Sequence, residues 1–388
     1  MENIVKYLKE IEENIVYYRR YIHENAEIGF DLEKTYSFIY DTLKSLGYNP
    51  YKCGKCGIVA TIGSGSRCVL LRADMDALNI EEKTSLDFKA KRYMHACGHD
   101  MHSAMLLGAA HLFKKYESML NGVVKLVFQP AEEILMGAID MISNNVLENP
   151  PVSCALSLHT LVSTNINSGE IIVPRGKIIA PSSDFFDIEI KGEAVHSGGA
   201  IEIDPIMIST YIIKALENLK TKWKNISLSI TSLIAGSTYN QIPEALVMKG
   251  SLRCFDEDDR GKIKLRMCQI VEYITKAFNT SGNVNFISEC PSFLCDEKLS
   301  DKSFNCLKAY FKNRVHKVDV NTDTSSSGSE DFAYYTKYVP SVMINISAGS
   351  KKEGYNAGLH NNKMIMNEDV LIDGTLAYFL CGIGLLGD

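Results

Sequence analysis

Apolar positions recur at helical spacing over residues 2–23 (ENIVKYLKEIEENIVYYRRYIH) and again over 31–46, then give way to short, nearly continuous apolar runs. IVATI (58–62) and CVLLRADM (68–75) have the length of buried strands. A helical pattern over 102–116, a strand VVKLVF (123–128), a short helix over 137–145 and a strand CALSLHT (154–160) follow. Strands alternating with helices predict an α/β layer built on a mixed, largely parallel sheet. After Pro181 the rhythm changes. DFFDIEI (184–190), a helix over 204–219, strands over 226–236 and 245–255, a helix over 258–278 and NVNFIS (283–288) give the order β-α-β-β-α-β. That order is the ferredoxin-like split unit, large enough for a small domain. From about residue 292 the first pattern resumes, with SVMINIS (341–347) as a strand and a final helix over 367–386. The expected organisation is therefore a catalytic α/β domain in two parts, 1–181 and 292–388, interrupted by an inserted α+β domain, 182–291. TDTSSSGSED (322–331) has the composition of a linker but runs directly into FAYY.

Composition narrows the class. A chain of 388 residues is long for one core, and 46% hydrophobic with 23% charged residues is ordinary for a soluble globular protein. A formal charge of −6 without a basic run argues against nucleic acid as a partner. The charged N-terminus lacks the apolar core of a signal peptide. The longest apolar stretch, LAYFLCGIGLLG, falls short of the roughly 20 residues needed to span a bilayer. A cytoplasmic protein with no membrane partner is expected. Eleven cysteines without framework spacing fit a reduced compartment. Cys53 and Cys56 form the CxxC of YKCGKCGIVA, but no second pair completes a zinc site and no helix follows to activate a thiol. GSGS at 63–66 stops short of a dinucleotide-binding glycine pattern.

Chemistry is expected at the carboxyl ends of the strands, where open α/β sheets collect ligands. CVLLRADM ends in Arg72, Asp74 and Asp76, VVKLVFQPAEE in Gln129, Glu132 and Glu133, and CALSLHT in His159. The strand 341–347 leads through a glycine-rich loop to His360 and Asn361. HACGHDMH adds Cys97, His99, Asp100 and His102. Thiolate, imidazole and carboxylate together suit zinc, nickel, cobalt or manganese rather than calcium or magnesium. Five or so such donors exceed what one tetrahedral ion takes, which points to two divalent ions in one site, an arrangement suited to splitting amides.

RADMDAL, HACGHDMHSAMLLGAA, FQPAEE, SLHT, YNQIPEAL, GSLRCFD, GSEDFAYY and LHNNK occur in this order along nearly the whole chain. Together they resemble the dinuclear metallo-amidohydrolases and carboxypeptidases that include hippurate hydrolase, indole-acetyl-amino-acid hydrolases, N-acetyl-diaminopimelate deacetylase and aminoacylases. The resemblance implies that Cys97, His99, Glu133, His159 and His360 bind the metals, that Glu132 is the general base, and that Asp74 orients a ligand and the base. Asp100 and His102 fall outside that ligand set, and capping of the helix or hydrogen bonding behind the ligands weighs at least as much for them as ligation. It further implies that His196 in KGEAVHSGGA stabilises the oxyanion, often across the subunit boundary of a homodimer. This motif departs from the family by lacking a second downstream histidine. Asn240 would hold a substrate carbonyl and Arg253 a substrate carboxylate, the inserted domain closing over the metals as a lid. The implied activity is metal-dependent hydrolysis of N-acyl amino acids or small conjugates. The alternatives are a dedicated N-acetyl-diaminopimelate deacetylase, a metal-binding module without catalysis, and a thiol redox protein using Cys53 and Cys56.

Overall fold

The computed structural model describes residues 1–176, 178–319 and 328–387. Two compact units emerge, one from Met1–Lys177, Leu294–Ser325 and Tyr334–Asp388, the other from Ile178–Phe293 and Ser326–Ala333. The proposed extent of the inserted domain is 182–291; the compact unit around it also takes in 178–181, 292–293 and, among the described residues, 328–333. Residues 322–327 of the linker-like stretch lie outside the described residues. The rest of it leads into a 3-10 turn at Asp331–Lys337.

The first unit is built on eight strands in the order Tyr51–Cys53, Gly57–Ser64, Gly122–Gln129, Cys68–Asp74, Cys154–Leu161, Ser341–Ser347, Ile171–Pro174, Val315–Val318. The central pairings are parallel and the flanking ones mixed. All seven residues of Cys68–Asp74 are buried, as expected for a strand covered on both faces. The helix His99–Lys115 is buried around its whole circumference from His99 to Phe113, and packs against the equally apolar terminal helix Val370–Leu386. The single helix expected over 2–23 is two, Glu2–Glu10 and Glu12–Glu24, because the backbone of Ile11 leaves the helical region while its side chain stays buried.

The second unit carries four antiparallel strands in the order Ile226–Ala235, Ala245–Cys254, Ser183–Lys191, Gly282–Cys290. The first strand in sequence thus lies between the third and fourth, which is the split β-α-β topology. Its inward residues Phe186, Ile188 and Ile190 share a core with Ile208 and Ile212 of helix Pro205–Lys222 and with Ile263 and Met267 of helix Glu257–Ala277. Asp204 caps the first helix by accepting from the amides of Ile206 and Met207, with Pro205 in the first turn. Among the described residues, no helix is long and apolar enough to cross a membrane.

Candidate metal centre

Register brings the donors together. Asp74 pairs with Gln129 and Arg72 with Ser157 across the parallel strands, so Asp74, the Glu132–Glu133 loop and His159 emerge at the same edge of the sheet. His159 is also aligned with Asn345 of Ser341–Ser347, the strand that leads on to His360. His360 is tied back by its amide, which donates to the Ala96 carbonyl at 2.7 Å.

Cys97 and His99 flank Gly98, whose φ of 89° lies in the left-handed region that a residue with a Cβ resists. The turn lets a thiol and an imidazole leave adjacent positions toward one point. Two overlapping sets of donors result, Cys97–His99–His159 and Cys97–Glu133–His360, with all donor atoms of each set within 4.8 Å of one another. His99, Glu132 and Glu133 form a third such set. His99 Nε2 lies 3.8 Å from Glu132, 3.8 Å from Glu133 and 3.7 Å from Asp74. Glu133 lies 3.7 Å from His360 Nε2.

The hydrogen bonds leave these atoms ready for a cation. His99 Nδ1 donates to the Asp76 carbonyl at 2.8 Å, leaving Nε2 buried with no hydrogen-bond partner. His159 Nδ1 likewise donates to the Thr160 carbonyl at 2.7 Å, and its Nε2 faces Cys97 Sγ at 3.5 Å. Fixing the far nitrogen by a backbone carbonyl is the usual way to orient a metal-binding imidazole. Burial and the adjacent His102 push His159 down to about 3, so it is neutral and keeps its lone pair. Burial and Glu133 push the Cys97 thiol up, so the thiolate needs a nearby positive charge. Burial alone would lower His99, yet the Asp74 carboxylate and the nearby Asp76 carboxylate, 3.6 Å from Nδ1, hold it well above the usual imidazole range. The surroundings therefore favour positive charge at His99 Nε2, and a divalent ion fits that demand.

Asp74 is fully buried. Burial would raise its carboxyl, but His99, Arg72 and His102 hold it well below the usual range. It accepts from Arg72 Nη1 and His102 Nδ1, each at 2.6 Å. Because the Thr160 amide donates to His102 Nε2 at 2.9 Å, the proton of His102 sits on Nδ1 and both ring nitrogens are engaged. Capping by Asp100 or His102 is not observed: the helix starts at Gly98 without a side-chain cap, and Asp100 instead meets Arg19 and His23. Sequence reasoning gave no role to Asp76, whose carboxylate accepts from the amides of Glu132 at 3.0 Å and Glu133 at 3.2 Å. The signal was present, since Arg72, Asp74 and Asp76 alternate at the end of one strand, but alternation does not say which carboxylate takes which partner.

In the second unit, His196 is exposed on the short strand Val195–His196, paired with Gln241–Ile242. Its Nε2 faces Asn240 Nδ2 at 3.5 Å, so the structure brings these two residues together. Arg253, half-buried on Ala245–Cys254, donates to Ser329 Oγ at 3.0 Å. Cys53 and Cys56 do not pair. Their thiols reach separate backbone carbonyls, of Met141 and of Phe30, and burial pushes them up to about 11 and about 12.

The family model for peptidase family M20/M25/M40 matches residues 70–380. The chain is 34% identical to N-acetyl-L-cysteine deacetylase of Bacillus subtilis, over 86% of this chain and 80% of that one. It is 33% identical to thermostable carboxypeptidase 2 of Saccharolobus solfataricus, over 99% and 98%. A crystal structure of a dinuclear metal-binding M20 peptidase from Bacillus subtilis superposes with a TM-score of 0.81, at 27% identity, covering 97% of this chain and 99% of the other.

Proposed function

The chain belongs to peptidase family M20/M25/M40, and from that membership we propose that it is a metal-dependent amidohydrolase cleaving N-acyl amino acids to a carboxylic acid and a free amino acid. The observation that carries this reading is the pair of donor sets sharing Cys97, with Glu132 beside them. Two divalent ions held by Cys97, His99, His159, Glu133 and His360, drawn from manganese, zinc, nickel and cobalt, would supply a polarised substrate carbonyl and an acidified water.

The chain's own residues do the rest. Glu132 takes the proton of the attacking water and passes it to the leaving amine. Glu133 remains a ligand, so adjacent carboxylates have separate tasks, both fixed by Asp76 through their amides. Asp74 orients the centre through His102 and Arg72. His196 serves as the oxyanion donor, Asn240 as the holder of the scissile carbonyl and Arg253 as the partner of the substrate carboxylate. We further propose a homodimer or higher homo-oligomer formed through the inserted unit, which sedimentation would test, and a cytoplasmic location consistent with eleven free thiols.

Glu132→Gln should retain metal and lose about 10²- to 10⁴-fold in turnover; unchanged turnover would refute the base assignment and favour a non-catalytic metal-binding module. A second reading, removal of C-terminal residues from small peptides, is favoured by the carboxypeptidase relative that matches 99% of the chain. A panel of N-acyl amino acids, N-acetyl-diaminopimelate and dipeptides, assayed after chelation and re-addition of each metal, decides among these substrates.

A further inference from the structure

The first turn of helix His99–Lys115 has no side-chain cap, yet it must hold two neighbouring donors in register. It is fixed from three directions instead. His99 is tied to the Asp76 carbonyl, and His102 to Asp74 and Thr160. The third anchor is Asp100, which points away from the donors into a buried charged cluster. Its Oδ2 accepts from Arg19 Nε at 2.8 Å and from His23 Nδ1 at 2.8 Å, and the side chains of all three are no more than 3% exposed. Arg19 also binds Glu368, just before the terminal helix, at 2.9 Å. His23 Nε2 meets Glu82 at 3.1 Å, and Glu82 accepts from the Ala90 amide and from Thr84. The Lys83 amide donates to the Asn362 carbonyl at 2.7 Å, linking the same cluster to the loop that carries His360.

We propose that Asp100 is a positioning residue of the metal centre, through which Arg19 and His23 of helix Glu12–Glu24 hold the Cys97–Gly98–His99 turn in ligating geometry. This rests on the metal reading above. A buried carboxylate fixed by two cationic groups on a rigid helix cannot shift without leaving charges unpaired, so the turn inherits that rigidity. Loss of such supporting partners typically weakens metal binding or activity by about 10–100-fold.

The test uses full-length protein, reconstituted with cobalt(II), as wild type, Asp100→Asn and the milder His23→Gln. The readouts are cobalt affinity by chelator competition, the visible and thiolate-to-cobalt absorption bands, kcat and KM separately, and circular dichroism. The expected result is folded variants with cobalt affinity lowered about 10–100-fold, altered absorption bands, and a fall in kcat larger than any rise in KM. Wild-type affinity and spectrum in a folded variant with only a lower Tm would overturn the proposal and leave Asp100 a structural residue. A wild type that binds no cobalt would overturn the functional reading itself. Should Asp100→Asn not fold, His23→Gln carries the same two outcomes.

Discussion

Replacing Gly98 by alanine tests whether the centre depends on one backbone turn. Gly98 has φ of 89°, and an alanine held there pays roughly 1–2 kcal/mol for the left-handed conformation alone. The new methyl would also collide with Thr160 Oγ1 and approach Met366 Cε at 2.8 Å. Met366 can yield, since its thioether end is flexible. Thr160 cannot yield as easily, because it sits on the strand Cys154–Leu161 and both its hydroxyl and its amide meet His102 Nε2 at 2.9 Å. Overpacking at such a site adds about 1–3 kcal/mol, so the total is roughly 2–5 kcal/mol. Part of that strain can be relieved only by moving Cys97 and His99. Gly98→Ala should therefore unfold at lower temperature and bind metal more weakly, as read by thermal unfolding with and without metal and by chelator competition. Wild-type Tm and metal affinity together would refute the reasoning.

Other consequences follow from the same structure. Lys125 is fully buried and donates to the carbonyls of Val146, Glu148 and Pro150 at 2.6–2.9 Å. Lys125→Met should cost roughly 3 kcal/mol, three hydrogen bonds at about 1.5–3 each being partly offset by relief of the buried charge, measurable by denaturant unfolding with metal content unchanged. Burial pushes His111 down to about 4, so it is neutral in the fold and takes up a proton on unfolding. Its contribution is present above pH about 6.5 and is lost as pH falls toward 4, at up to about 1.4 kcal/mol per pH unit. A His111→Gln variant should show a shallower fall in Tm over that window than the parent. Serine at both Cys53 and Cys56 should leave hydrolysis of N-acyl amino acids unchanged, because both thiols are protonated and bonded to different carbonyls; a loss would revive a redox role.

Legibility in the sequence followed local pattern. SVMINIS begins and ends where expected because apolar β-branched residues are bounded by polar ones. The helix Glu297–Phe311 gave no such signal, since the face it buries, Leu299, Ser300, Ser303, Leu307 and Phe311, includes two serines that interrupt the apolar stripe. Ile171–Pro174 and Val315–Val318 are four residues each, too short to show a period, and pair with each other only through the folded sheet. At the site, the donor types were readable because thiol, imidazole and carboxylate cluster at strand ends. The supports were not. Arg19 and Asp100 are 81 positions apart, and neither the partner of Asp76 nor that of His102 follows from spacing.

The central claim is a pair of transition-metal ions at these donors, and anomalous diffraction from crystals of fully loaded protein tests it most directly. Two peaks are predicted per chain, one beside Cys97, His99 and His159 and one beside Cys97, Glu133 and His360. A loaded, hydrolytically active crystal with no anomalous peak at either position would contradict the account.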